Sequence, residues 1–117
     1  MTAVFPQGSN YRSFTTIHAD TSEVTLYTAG VGVTAAYFVW INLSDDAADA
    51  RTYTLTFTDS SASKTATLMY QKAMAANVQI KEDFFVAMEA GDTLKGTPSA
   101  AGIHAVVTVH EVSSRRG

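Results

Sequence analysis

Residues Arg51 to Thr58 read Arg-Thr-Tyr-Thr-Leu-Thr-Phe-Thr, which puts Tyr53, Leu55 and Phe57 on one side of an extended chain and Thr52, Thr54, Thr56 and Thr58 on the other. Alternation of large apolar with β-branched polar residues predicts a half-buried β-strand, because successive side chains of a strand leave opposite faces of the sheet. Shorter runs of the same kind recur, punctuated by Gly, Asn, Asp, Ser and Pro, and they predict strands over 11–18, 23–29, 35–43, 51–58, 65–71, 78–81, 84–88, 93–96 and 103–112. In the last, Ile103, Ala105, Val107 and Val109 share one face and His104, Thr108 and His110 the other. The run Tyr37-Phe38-Val39-Trp40-Ile41 is apolar on both faces, as expected of a central strand covered by protein on each side or by a partner chain. Tyr37, Phe38 and Trp40 are therefore expected in the core. Lys72 to Asn77 is read as one helical turn serving as a connector.

Eight or nine short strands with no amphipathic helix predict an all-β fold. The expected form is a two-sheet antiparallel sandwich of about eight strands, jelly-roll-like or Greek key in topology. Residues 1–10, with Pro6 and Gly8, read as an extended N-terminal arm, 11–112 as the sandwich domain and 113–117 as a flexible C-terminal tail. A chain of 117 residues has room for one such domain.

Charge narrows the partners. Only 16% of residues are charged, so threonine, serine and alanine take up much of the surface, which suits packing against neighbours better than open solvent. A net charge of −3, with Arg115 and Arg116 as the adjacent basic pair, argues against nucleic acid, whose phosphates need clustered cations. There is no cysteine, which excludes disulfides and thiolate metal sites and leaves the redox compartment open. No stretch approaches the roughly 20 apolar residues that span a bilayer, and residues 1–10 lack the pattern of a signal peptide. The expectation is a soluble protein, made in the cytoplasm, without a membrane partner.

The sequence offers little chemistry. His104 and His110 lie six residues apart on one strand, roughly 20 Å when extended, too far for one ion; His18 reaches either only through an unknown strand pairing, and the histidines are expected on strand surfaces. Asp45, Asp46 and Asp49 form the most acidic loop but lack the spacing of a calcium loop, so a solvated turn is the expectation. Glu82 and Asp83, adjacent on a strand, point to opposite faces; Glu89 and Asp92 flank Gly91 and are expected to build a turn. Nucleotide, nucleophile-elbow and zinc-helix motifs are absent. Neither an enzyme nor a cofactor or metal site is expected. An aromatic platform of Tyr37, Phe38 and Trp40 for sugar stacking is the alternative to packed core.

Two segments resemble a known family. Val24-Thr25-Leu26-Tyr27-Thr28-Ala29, Gly32-Val33-Thr34-Ala35 and Trp40-Ile41-Asn42-Leu43-Ser44 resemble the opening of small β-sandwich virion proteins of tailed bacteriophages and gene-transfer particles. Phe84 to Leu94, with its Ala90-Gly91-Asp92-Thr93-Leu94 turn, then Ala100-Ala101-Gly102 and Val106 to Val112, resemble their ending. The likeness spans residues 24–112, with a departure over 70–81 where the chain is bulkier and more charged. It implies a non-enzymatic virion component on the outside of a phage-like particle, either a capsid decoration protein or a head-spike or fibre base. A tail or baseplate fibre-attachment protein is the alternative, and a carbohydrate-binding module another. Its partners would be copies of itself, as a closed trimer, and capsid or fibre subunits. Contact residues expected on this reading are Phe5 and Tyr11, anchoring the arm on a neighbour, and Thr54 and Thr56 on the uncharged strand face.

Overall fold

The computed structural model describes residues 9–30, 33–45 and 49–113. They form eight strands: β1 (Ser9–Ile17), β2 (Val24–Thr28), β3 (Val33–Asp45), β4 (Arg51–Asp59), β5 (Lys64–Met74), β6 (Val78–Met88), β7 (Thr93–Pro98) and β8 (His104–Ser113). The first sheet has the order β1-β8-β3-β6 and the second β2-β7-β4-β5. All pairings are antiparallel. The pairs β1·β8, β2·β7, β3·β6 and β4·β5 are nested like one long hairpin, and the contacts β8·β3 and β7·β4 roll that hairpin up. Only the β4–β5 connection stays within a sheet; every other connection crosses to the opposite one.

The alternation seen in the sequence sets the core. Tyr53 and Leu55 of β4 are fully buried between the sheets and Phe57 packs against them from a partly buried position. Leu26 and Tyr27 of β2, Leu94 of β7 and Met69 and Met74 of β5 complete that layer. Phe38, Ile41 and Leu43 of β3 face them, with Val107 and Val109 of β8 and Met88 of β6. Ile103, Ala105, Val107 and Val109 all lie inward, as their spacing requires.

Turn chemistry ties the ends of the sheets together. Gly91 takes φ +95°, a conformation open to glycine for want of a Cβ. Beside it the buried Asp92 accepts hydrogen bonds from Ser60 N–H at 2.9 Å, the Ser60 hydroxyl at 3.1 Å and Glu89 N–H at 2.8 Å. Gly91 N–H donates to the Ala29 carbonyl at 2.8 Å and Ala29 N–H to that of Asp92 at 3.0 Å, so the Asp92 carboxylate fastens two connections and the Gly91–Asp92 backbone a third.

Several expectations are corrected. Lys72 to Met74 continue β5 and form no helical turn; a positive φ at Gln71 and register shifts against β4 bend the strand so that it keeps its partner. Residues 78–81 and 84–88 belong to the single strand β6, because Glu82 and Asp83 alternate in and out like their neighbours. β1 opens at Ser9, two residues earlier than the pattern indicated. His18, expected on the surface, is buried at 1% exposure. Of the aromatic run only Phe38 enters the core; Tyr37 and Trp40 are half-buried on the outside of the first sheet.

Candidate interaction surfaces

A bulge in β3 determines the outer face of the first sheet. Residues 37 and 40 differ in parity and would leave opposite faces of a regular strand. Both neighbouring pairings slip between Phe38 and Trp40, and the extra residue sends Phe38 and Ile41 inward while Tyr37 and Trp40 both point out. Across the sheet, Tyr11 lies opposite His110, His110 opposite Tyr37, and Tyr37 opposite Ala87 beside Phe85. β6 exposes Gln79, Lys81, Asp83, Phe85 and Ala87 in strict alternation.

The rings form one continuous series. Phe85 and Tyr37 stack at 5.3 Å and 14°, Tyr37 and His110 at 6.4 Å, His110 and Tyr11 at 4.7 Å and 31°, and Tyr11 and Trp40 at 6.2 Å. The Lys81 ammonium sits 4.7 Å from the centre of the Trp40 ring. Phe85 and Tyr37 are a near-parallel, offset stack, His110 and Tyr11 a tilted one, and the pairs at 6.2 and 6.4 Å are looser neighbours. Together they make a continuous aromatic ridge along the outer face. Beneath it the hydroxyls of Ser13 and Thr108 bond each other at 3.0 Å. Among the described residues the charged side chains on this face are Lys81 and Asp83, paired at 3.3 Å.

The outer face of the second sheet is different. Thr54 lies opposite Thr97, Thr56 between Lys95 and Thr67, and Thr58 between Thr93 and Thr65. Thr54 Oγ1 accepts Gln71 N–H at 3.0 Å, and the Thr58 and Thr65 hydroxyls bond each other at 2.9 Å. Thr56 Oγ1 is buried with no hydrogen-bond partner among the described residues. The strand's threonines are half-buried by one another and by their neighbours. Tyr11 and the Thr54–Thr56 pair therefore occupy opposite outer faces and do not meet in one site. Phe5 lies outside the described residues. Phe85 was missed in the sequence because β6 was divided in two, although its alternation with Lys81 and Asp83 carries the signal.

Polar groups in the interior hold strands together. His18 Nε2 and the Tyr53 hydroxyl share a hydrogen bond of 2.8 Å, and burial lowers the His18 pKa while Asp20 opposes the shift. Tyr27 donates to Glu111 Oε2 at 2.5 Å, and Arg12 bonds the other Glu111 oxygen at 3.3 Å. Burial, then the bond to Glu111, push the Tyr27 phenol up, and burial does the same to Tyr53. An open pocket of about 300 Å³ is lined by Ser44, Asp45, Asn77, Val78, Gln79 and His104. A second, of about 380 Å³, lies beside Tyr37, Phe57, Asp59 and Glu89; the Asp92 carboxylate at its wall is the one that fastens the turns. Among the described residues no group of three or more His, Cys, Asp or Glu is placed to hold a metal ion.

No protein-family model matches the chain, and no curated protein matches it. Solved structures do match in fold. The Drosophila NLP core, described with pentamer formation and histone binding, superposes with a TM-score of 0.60 at 12% identity over 89% of this chain and 99% of that one. A subviral particle of the VP2 protein of infectious bursal disease virus gives 0.58 at 9% identity over 92% of this chain and 34% of its own. A pentameric capsid protein from metagenomic phage sequences gives 0.51 at 19% identity over 89% and 62%. The chain thus spans about a third of the length of the bursal-disease-virus proteins it matches. At these identities the likeness is one of fold: an eight-stranded antiparallel β-sandwich.

Proposed function

We propose that the chain is a non-enzymatic structural subunit of a virion-like particle, acting by binding alone. The observation that carries this reading is the nested pairing β1·β8, β2·β7, β3·β6 and β4·β5, which we read as jelly-roll connectivity, an architecture used by capsid and lectin domains. Among similar folds are capsid proteins, one of them described as pentameric. The ends that resemble small phage virion proteins favour an accessory place on the outside of a particle, as a decoration protein or spike base, over a tail or baseplate fitting. Copies of the chain would close into a ring. Residues 1–10, carrying Phe5 and leading into Tyr11, would lie over a neighbour, and the Thr54–Thr56 face would form a second, weaker contact.

A carbohydrate-binding module is the second reading, favoured by the outward placement of Tyr37 and Trp40. Against it, Tyr37 lies between Phe85 and His110, and Trp40 packs with Tyr11 and Lys81, whereas a sugar needs a free ring face. The test is to purify particles from the producing cells and probe them for the chain, with and without residues 1–10. The reading expects the full chain on particles and reduced attachment of the shortened one. A chain found only free in the lysate, or one that binds glycans on an array and loses them in Trp40→Ala without unfolding, would sink it.

A further inference from the structure

We propose that the outer face of the first sheet binds a second copy of this chain, with the row Tyr11–His110–Tyr37–Phe85 at the centre of the contact. The inference rests on the reading that the chain works by assembly, and it names the surface. Among the described residues, three of the four large apolar side chains left exposed lie there: Tyr11 at 63%, Ile17 at 61% and Phe85 at 75%, with Tyr70 on the other sheet. Such a concentration marks an interaction site, whereas single exposed apolar residues need no explanation.

The chemistry of the face selects the occupant. Its charged groups, Lys81 and Asp83, neutralise each other at 3.3 Å, so it neither attracts a polyanion nor repels its own copy. Tyr37 and His110 are each packed between two neighbouring rings, while the exposed rings of Tyr11 and Phe85 and the aliphatic Ile17 are left to interdigitate with protein side chains. The row also runs from edge strand β1 to edge strand β6 with its two most exposed rings at the ends. A two-fold axis parallel to the strands would lay the Tyr11 end of one copy against the Phe85 end of the other, so that each exposed ring covers its counterpart. Four strands about 4.8 Å apart and about nine residues long make a face of roughly 600 Å². Two such faces hide roughly 1,200 Å² in total, the lower end of what a specific interface needs.

Sedimentation velocity of the purified chain from micromolar to submillimolar concentration tests the proposal. The wild type is expected to associate. Phe85→Asp and Tyr11→Asp, at positions exposed enough to leave the fold intact by circular dichroism, should weaken association at least about tenfold by burying an unpaired charge. Tyr70→Asp, equally exposed on the other sheet, should leave it unchanged. A wild type that stays monomeric, or two folded variants that associate like it, would overturn the proposal. So would glycan binding by a monomeric wild type that Phe85→Asp abolishes. Association through this face by a chain absent from particles would defeat the virion reading and leave the interface standing.

Discussion

The Tyr53 hydroxyl reaches His18 because Gly96, on the neighbouring strand, has no side chain: a Cβ there would collide with that hydroxyl and crowd Leu26. Gly96→Ala should therefore destabilise the fold by about 1–3 kcal/mol, as overpacking does, measured as a lower urea midpoint. A glycine inside a strand is itself a sign of close approach, so this contact was legible in principle, whereas its partners Tyr53 and His18 lie far apart in sequence and were not. His18 also sets a pH dependence. Burial holds its imidazole below the ordinary value of 6.5, so as the pH falls the unfolded chain takes up the proton first. The stability that depends on neutral His18 is present above pH 6.5 and is lost progressively as the pH falls from there toward the folded pKa. The melting temperature should fall across that window in the wild type and change less in His18→Gln.

At the scale of elements, the bulge in β3 decides what the aromatic run does. Phe38→Ala should cost about 3–5 kcal/mol, the price of emptying a core site. Trp40→Ala, which removes a half-buried ring from the outer face, should cost no more than about 2 kcal/mol; chemical denaturation followed by circular dichroism separates the two. The strands over 51–58 and 103–112 were plain in the sequence because a single period of two runs through each. The run at Tyr37 to Ile41 was ambiguous because it is apolar at every position, and nothing local marks the slip in register that a pair of neighbouring strands imposes. The two segments that resemble virion proteins meet in space: Tyr27 of the first donates to Glu111 of the second, and the backbone of Ala29 is bonded to Gly91 and Asp92. Their spacing in the sequence reflects a contact between sheets that no reading of either segment alone could give.

The whole molecule is a sandwich with unlike outsides. One face is a threonine lattice in which Thr58 and Thr65 bond each other and Thr54 accepts a backbone N–H; the other is an aromatic ridge whose charges, among the described residues, pair off. The first was visible in the alternation of β4, and it drew the expectation of a contact at Thr54 and Thr56. The second was hidden, since its rings come from β1, β8, β3 and β6 and are gathered only by the strand order. Assembly through the ridge is the central claim, and Trp40, the chain's one tryptophan, lies within it as a built-in reporter. The most direct measurement is the emission and acrylamide quenching of Trp40 across a dilution series. Covering of the ridge by a second copy predicts blue-shifted, protected emission at high concentration that moves to the red and becomes quenchable on dilution. Emission that is equally red and equally quenched at every concentration would contradict it.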